Sequence, residues 1–218
     1  MKNLTYIVAL ASVFHLLAVL PTNAQKKVSE LSLIYDYSAG STVPGSQPEY
    51  AVYSVYIKGG KSRSEMTSTL FSSTTLFDAN TGFAVILKEV SGQKLLIRLN
   101  PENWTERARA YEGMVFKNTS ETKEIAGYKC TKAIGQTKSG ITLTVFYTRD
   151  LIPENKDYDP AFKSLEGLPL EYELTNGDVK IKYRISKINL NPVPASKFDV
   201  PKTGYREMNY EESKKMRD

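Results

Sequence analysis

The side chains that most often carry catalysis or bind metals are scarce in this sequence. His15 is the single histidine and lies in an N-terminal segment that we expect to be removed, so the mature chain would lack the side chain that titrates closest to neutral pH. Cys130 is the single cysteine. Because it has no histidine or second cysteine to activate it, we interpret it as a small buried apolar residue. The sequence therefore predicts no catalytic residue, no metal site and no cofactor.

Four polar segments have a spacing that could serve chemistry. Glu171 and Glu173 could act as a general acid and base, but they face lysines in a predicted hairpin and are interpreted as ion-pairing residues on a solvated face. Residues 78–82 resemble the start of a calcium loop, yet a hairpin turn explains them. We assign the carboxylates of residues 154–159 to a solvated loop and the hydroxyls of residues 62–75 to polar strand faces.

The N-terminal residues follow the order of a secretory signal peptide. Lys2 is positively charged, residues 7–20 are almost entirely apolar, and Pro21 is followed by small residues up to Ala24. This apolar segment is too short to span a bilayer comfortably, and no cysteine follows it that could be lipidated. We therefore expect residues 1–24 to be cleaved, leaving a soluble periplasmic or secreted protein that is not lipidated and has no transmembrane segment.

Charge and composition indicate one globular domain. The net charge is +5, but the basic residues are scattered among acidic ones, which argues against a nucleic-acid partner. No linker rich in proline, glycine or serine interrupts the chain after the signal peptide. We predict a single domain over residues 25–205, followed by a polar tail or short helix over residues 206–218.

Most of the sequence alternates between apolar and polar residues, which is typical of β-strands. In residues 168–174 and 179–185 this alternation flanks Asn176-Gly177, the signature of a type I′ hairpin turn. With that turn, Glu173 would face Lys180. The apolar positions change phase after residue 185, which indicates a β-bulge. The pattern as a whole predicts a meander of antiparallel hairpins.

One short helix is predicted between strands. Asn100 is a favourable N-cap and Pro101 suits the first helical position. Trp104, Ala108 and Tyr111 then fall on one helix face. We expect this helix to pack on the sheet.

Several predicted strands carry apolar side chains on both faces. Residues 50–57 do so throughout, and Phe146 interrupts the threonine face of residues 141–148. A sheet with one solvated face would not show this pattern. Either protein covers both faces, or one face lines a closed or half-closed barrel with an apolar cavity.

Four segments of the chain are considered together and in order: 125–132, 146–151, 165–172 and 198–201. Taken as a set, they resemble an uncharacterised domain-of-unknown-function family of Bacteroidetes-like envelope proteins. That family is distantly similar to the lipoprotein-carrier (LolA-like) fold. The resemblance implies a mainly β fold, an antiparallel half-open β-barrel with a few short covering helices around an apolar cavity. Lipoprotein carriers hold their lid closed through a single arginine. The sequence departs from the family here, because no residue matches that arginine and Arg98, Arg107 and Arg109 are candidates only.

The resemblance and the two-faced strands favour a non-catalytic periplasmic binding protein that holds a lipid or acyl chain. The candidate cavity residues are Tyr53, Val55, Phe83, Val85, Trp104 and Phe146. The alternative is a protein-interaction module of the cell envelope with a packed core and no ligand, which presents a surface or an edge strand to a protein partner. A hydrolase is the third and least favoured possibility.

Overall fold

The computed structural model describes residues 25–41, 47–138 and 140–215. The predicted signal peptide, residues 1–24, lies outside the described residues. Most of the described chain is β-strand, and its helices are short. None of the helices in the described ranges is long and apolar enough to cross a bilayer.

The elements follow one another with short connections. The strands are β1 (Lys26–Val28), β2 (Glu30–Ser41), β3 (Glu49–Lys58), β4 (Lys61–Thr67), β5 (Phe71–Asp78), β6 (Ala84–Val90), β7 (Gln93–Leu99), β8 (Phe116–Ile125), β9 (Tyr128–Gln136), β10 (Thr142–Thr148), β11 (Leu151–Pro153), β12 (Leu168–Asn176), β13 (Val179–Asn189) and β14 (Arg206–Met208). The helices are α1 (Pro101–Ala108) and α2 (Tyr210–Lys215), with 3-10 turns at Arg109–Tyr111, Lys156–Tyr158, Pro160–Phe162 and Ala195–Phe198.

Twelve strands form one sheet, in the order β14-β7-β6-β5-β4-β3-β2-β13-β12-β10-β9-β8. Strands β2 to β7 are a meander of hairpins, as predicted, and β14 is the one strand that runs parallel to its neighbour in this sheet. Within the described chain, the end strands β14 and β8 do not pair with each other. The predicted mainly β fold, a half-open antiparallel barrel with few short helices, is therefore confirmed.

The concave face carries two apolar clusters separated by a polar strip. The larger cluster lies on the β2, β3, β10 and β12 side and includes Leu33 and Val55. The smaller cluster includes Phe77 and Leu99 and packs against Trp104 of α1. Between them, β4 and β5 place hydroxyl residues on the concave face, because Ser64 pairs with inward-facing Val55 on one side and with Thr75 on the other. Of the hydroxyl residues predicted to form polar strand faces in residues 62–75, Ser64, Ser73 and Thr75 point into the barrel, whereas Ser72 and Thr74 lie on the other face.

The convex face of β5 to β7 is covered by the chain that leads to β14. Leu76, Leu87 and Leu96 are buried there, and Phe198 and Val200 pack against them. Protein therefore covers both faces of β5 to β7, whereas on β3, for which two apolar faces were predicted, Tyr50 and Val52 are exposed.

The segment predicted as a polar tail or short helix contains both a strand and a helix. Residues 206–208 form β14 on the edge of β7, and α2 follows at Tyr210–Lys215. Met208 and Tyr210 are buried against the smaller apolar cluster. In the described part of this segment, the polar sequence therefore contributes two apolar anchors to the core.

The predicted register of the β12–β13 hairpin is wrong by two residues. Glu173 pairs with Lys182 instead of Lys180, because Asn176 stays in its strand and pairs with Val179. The turn residues are then Gly177, whose φ is +58°, and Asp178. The bulge predicted after residue 185 is present, since the pairing with β2 shifts between Ile185 and Lys187.

Candidate ligand cavities on the concave face

Helix α1 lies over the concave face because its start and its apolar face are both fixed. The Asn100 side chain accepts a hydrogen bond from the backbone N–H of Asn103 at 2.8 Å, and Pro101 occupies the first turn. The indole of Trp104 stacks on Phe77, with ring centroids 4.4 Å apart. The predicted N-cap and packing face are thus correct, and the helix forms one wall of the barrel opening.

The second wall is the connection between β11 and β12, residues 154–167, which we call the covering loop. Its start is held locally, because Asn155 Oδ1 accepts from Asp157 N at 3.0 Å. Phe162 is buried and meets the ring of Tyr172 edge-on at 4.8 Å. The covering loop therefore enters the barrel, although the sequence placed its first half in solvent.

A groove of about 670 Å³ runs between the helix wall and the covering loop. It is lined by Thr105, Ala108, Arg109, Tyr111, Glu112, Gly113, Met114, Pro160, Lys163 and Ser164. Its walls are mainly apolar, and the Ser164 hydroxyl joins them by donating to the carbonyl of Met114 at 2.7 Å. Arg109 and Lys163 contribute exposed positive charges, and Glu112 contributes one exposed negative charge.

A second, polar cavity of about 290 Å³ lies deeper, over the hydroxyl strip of β4 and β5. Its lining consists of Tyr53, Ser64, Met66, Ser73, Thr75, Arg107, Tyr111, Asp159, Ala161, Phe162, Tyr172, Leu174 and Tyr183. We call it the tyrosine cavity. Tyr111 lines both spaces, so this one side chain stands between the groove and the tyrosine cavity.

The rings of the tyrosine cavity pack on one another. Tyr172 is stacked on Tyr183 at 4.4 Å, and Tyr53 meets Tyr183 edge-on at 5.3 Å. Tyr35 lies behind them and donates its hydroxyl hydrogen bond to the carbonyl of Pro169 at 2.9 Å. Such edge-on and stacked pairs fix ring positions, so the aromatic wall is pre-formed.

Among the described residues, Asp159 is the one carboxylate in this lining. It retains some exposure through the cavity, yet the protein packed around it raises the pKa of its carboxyl to about 6, chiefly by burial. The hydrogen bond from Ala161 N, at 2.9 Å, opposes that rise. Burial, and next the negative charge of Asp159, also raise the pKa of Tyr53 well above its usual value. The assignment of Asp159 to a solvated loop is therefore wrong.

The structure does not bring the six predicted cavity residues together. Tyr53 lines the tyrosine cavity, whereas Val55 is packed in the larger core cluster. Phe83 and Val85 line a separate pocket of about 230 Å³ together with Phe198.

The remaining two predicted residues are also apart from both spaces. Trp104 is on Phe77, and Phe146 lies on the opposite side of the sheet, with Lys123 Nζ 3.8 Å from its ring centroid. The three candidate arginines separate as well. Arg98 pairs with Glu207 at 2.9 Å, Arg107 lines the tyrosine cavity and Arg109 lines the groove.

The sequence analysis did not predict two sets of cavity residues, although each set forms a pattern that is visible in the sequence. The first is the tyrosines at inward strand positions, which include Tyr172 and Tyr183 and belong to a chain with 14 tyrosines but one tryptophan. The second is the run of hydroxyl residues in β4 and β5. Asp159 left no such signal, because it stands among other acidic residues in a loop.

The acidic pair and the cysteine have the structural roles that the sequence predicted. Glu171 forms ion pairs with Lys123 at 2.9 Å and Lys182 at 3.3 Å. Burial works against its charge, but these lysines hold its pKa below the usual value. Cys130 is fully buried, and burial raises the pKa of its thiol to about 11.

The segment that resembles a calcium loop is a turn. Asp78 Oδ1 accepts from Asn80 N at 2.9 Å, and the carbonyl of Asp78 accepts from Gly82 N at 2.8 Å. The positive φ of Gly82, +74°, closes this turn. The prediction of a hairpin turn is confirmed.

No protein-family model and no curated protein matches this chain. Solved structures do match its fold. PNGF-II, in a P21 crystal form, has a TM-score of 0.50 and 16% identity over 86% of this chain and 33% of its own, so the chain spans about one third of that protein. An uncharacterised conserved protein from Thermus thermophilus has a TM-score of 0.46 and 9% identity over 86% of this chain and 92% of its own.

A LolA superfamily protein from Nitrosomonas europaea has a TM-score of 0.37 and 10% identity over 79% of this chain and 90% of its own. This likeness concerns the fold alone.

Proposed function

We propose that this protein is a non-catalytic binding protein of the cell envelope that holds an apolar chain, such as the acyl chain of a lipid, in the groove beside α1. The observation that carries the proposal is the groove itself. At about 670 Å³ it falls within the usual size of small-molecule sites. Its walls are mainly apolar, and they belong to two segments that pack on the sheet independently.

The gain from filling such a groove is large enough to matter. Each CH₂ group that leaves water contributes about 0.8 kcal/mol. An acyl segment of several carbons therefore contributes several kcal/mol, which offsets the entropy lost when the ligand is immobilised. Ala108, Met114 and Pro160 offer the apolar contacts.

Positive charge at the groove favours an acidic end on the ligand. Lys163 Nζ pairs with Asp157 at 2.6 Å, so part of its charge is compensated. Arg109 forms no ion pair with any residue that the structure describes, and its guanidinium suits a carboxylate or phosphate. A fatty acid is the simplest ligand that combines both features.

Location in the envelope rests on the predicted signal peptide. The protein-interaction alternative would use an edge strand, and β8 ends the sheet. However, β8 carries the exposed charges Lys117, Glu121 and Glu124 and an irregular register between Asn118 and Thr122. These features protect an edge from pairing, so the groove supports ligand binding better than β8 supports strand addition.

The test is the binding of a fluorescent fatty acid to delipidated protein. Ala108→Trp would fill the groove from its half-buried position, and Ala110→Trp is the matched control, because Ala110 is exposed in the same turn. We expect micromolar binding by the parent and the control and at least a tenfold loss in the filled variant. Equal binding by the two variants, or none by the parent, would contradict the proposal.

Native mass spectrometry of the protein purified from the cell envelope would identify a ligand that is bound there. A lipid at near-unit stoichiometry supports the proposal and identifies what is carried. A single stoichiometric protein partner instead would favour the interaction module.

A further inference from the structure

We propose that the tyrosine cavity is a second binding site, which takes a small organic cation, a primary or quaternary ammonium group, between the carboxylate of Asp159 and the surrounding tyrosine rings. This site is distinct from the groove, and it does not depend on an acyl chain binding there. Its occupant is defined by the chemistry of the lining.

The first argument is a carboxylate without a counter-ion. Among the described residues, no lysine or arginine forms an ion pair with Asp159, whose one hydrogen-bond partner is the backbone N–H of Ala161. A carboxylate can accept several hydrogen bonds, so most of its capacity is left over. Enclosing an uncompensated charge costs free energy, and such groups cluster at functional sites.

The second argument is the aromatic wall. A cation is attracted to the face of an aromatic ring within about 6 Å of its centroid, and quaternary ammonium groups are held by aromatic cages of this kind. Tyr53, Tyr183 and Phe162 all line the cavity. The protein makes the same contact elsewhere, because Lys197 Nζ lies 4.3 Å from the ring centroid of Tyr56.

The third argument is the balance of charge around Asp159. The charge of Asp159 raises the pKa values of six phenols, which are neutral near pH 7. They are Tyr35, Tyr53, Tyr111, Tyr158, Tyr172 and Tyr183. Arg107 of α1 also lines the cavity, but its side chain is exposed and lies near Tyr111. The charge of Arg107 lowers the pKa of Tyr111, whereas burial raises that pKa more strongly. The inner part of the cavity is therefore negative and aromatic.

The size and the floor of the cavity restrict the ligand. At about 290 Å³, the space lies at the lower limit of small-molecule sites, so it suits an ammonium group with a short substituent. The hydroxyls of Ser64, Ser73 and Thr75 line the opposite side and can hydrogen-bond a hydroxyl or amine on that substituent.

The experiment compares choline with its neutral isostere 3,3-dimethylbutan-1-ol by calorimetry or NMR titration of the full mature chain. We expect choline to bind at least tenfold more tightly than the alcohol. We also expect Asp159→Asn, which keeps the acceptor for Ala161 N, to remove this preference. The matched control is Asp157→Asn, because Asp157 lies two residues away and pairs with Lys163 in solvent.

A further readout uses the parent protein and does not depend on any variant folding. Choline should bind about tenfold more weakly at about pH 5 than at about pH 8. The Asp159 carboxyl, with a pKa of about 6, is mostly protonated at the lower pH and mostly ionised at the higher one. Equal affinity for choline and the alcohol would overturn the proposal. Binding of acetate or phosphate in the cavity, without binding of choline, would also overturn the proposal. That outcome would mean that Arg107 binds an anion there.

Discussion

Trp104 and Phe77 stack with their ring planes only 16° apart, and this contact fixes α1 to the concave face of the sheet. Trp104 is the single tryptophan of the chain. Its fluorescence therefore reports the position of one groove wall without any label. A ligand that moves α1 should change the environment of this indole.

Replacing Phe77 with alanine should destabilise the protein and release α1. Phe77 is 8% exposed, and a buried Phe→Ala change typically costs about 3–5 kcal/mol. Denaturant unfolding should show this loss, and the Trp104 emission of the folded variant should move to longer wavelength. Phe83→Ala is the control, because Phe83 is 57% exposed, and it should change stability by less than about 1 kcal/mol. Similar losses in both variants would contradict the role of the stack.

Removing the guanidinium of Arg109 should weaken binding of a fatty acid more than binding of the matching fatty alcohol. The apolar contacts are the same for both ligands, so the difference isolates the charge at the groove. We expect a loss of about twofold to fivefold for the acid, because an exposed ion pair contributes up to about 1 kcal/mol. Arg98→Ala is the control, since Arg98 pairs with Glu207 on the sheet edge. Equal loss for acid and alcohol would show that Arg109 acts through packing alone.

Asp159→Asn should make the protein more stable at about pH 8. Because the pKa of this carboxyl is raised in the folded state to about 6, its contribution to stability is fully present below the unfolded pKa of about 4 and is lost as the pH rises through about 6. The variant should exceed the parent by about 1 to 3 kcal/mol at about pH 8 and by little at about pH 4. Urea unfolding at both pH values measures this difference. If the variant were less stable than the parent at the higher pH, the ionised Asp159 carboxylate would not be unfavourable in the folded state.

Cys130 should resist thiol reagents in the folded protein. The thiolate is the reactive form, and burial both raises the pKa of the Cys130 thiol to about 11 and blocks access to it. Reaction with a disulfide reagent at about pH 8 should be slow in buffer and fast in denaturant. Fast, complete reaction of the folded protein would show that this strand opens.

The strands, the helix start and the β-bulge could be predicted from the sequence because each is determined by local interactions. The alternation of residues in β2 to β7 follows from the pleat of a strand, and the start of α1 follows from the hydrogen-bonding capacity of Asn100 and the fixed φ of Pro101. The bulge after Ile185 was visible as a change of phase. Each of these features depends on residues within a few positions of one another.

The cavity residues were much harder to predict. The position of Asp159 depends on Phe162, which is anchored on Tyr172, and this contact joins segments that the sequence does not link. A register two residues away from the predicted one also places Tyr172 opposite Tyr183. The aromatic wall therefore follows from a turn geometry that both Asn176-Gly177 and Gly177-Asp178 satisfy.

Strand pleating, helix capping and cross-strand pairing act over short distances, so a mainly β chain with a meander of hairpins, one capped helix, a buried cysteine and paired glutamates could be predicted from the residues alone. In contrast, the entry of the covering loop into the barrel, the inward position of the hydroxyl residues and the contact of Asp159 with a ring of tyrosines result from long-range packing. These features depend on which apolar side chains contact each other across the open sheet. Contacts between residues far apart in the chain produce no regular spacing in the sequence, so they could not be predicted from it.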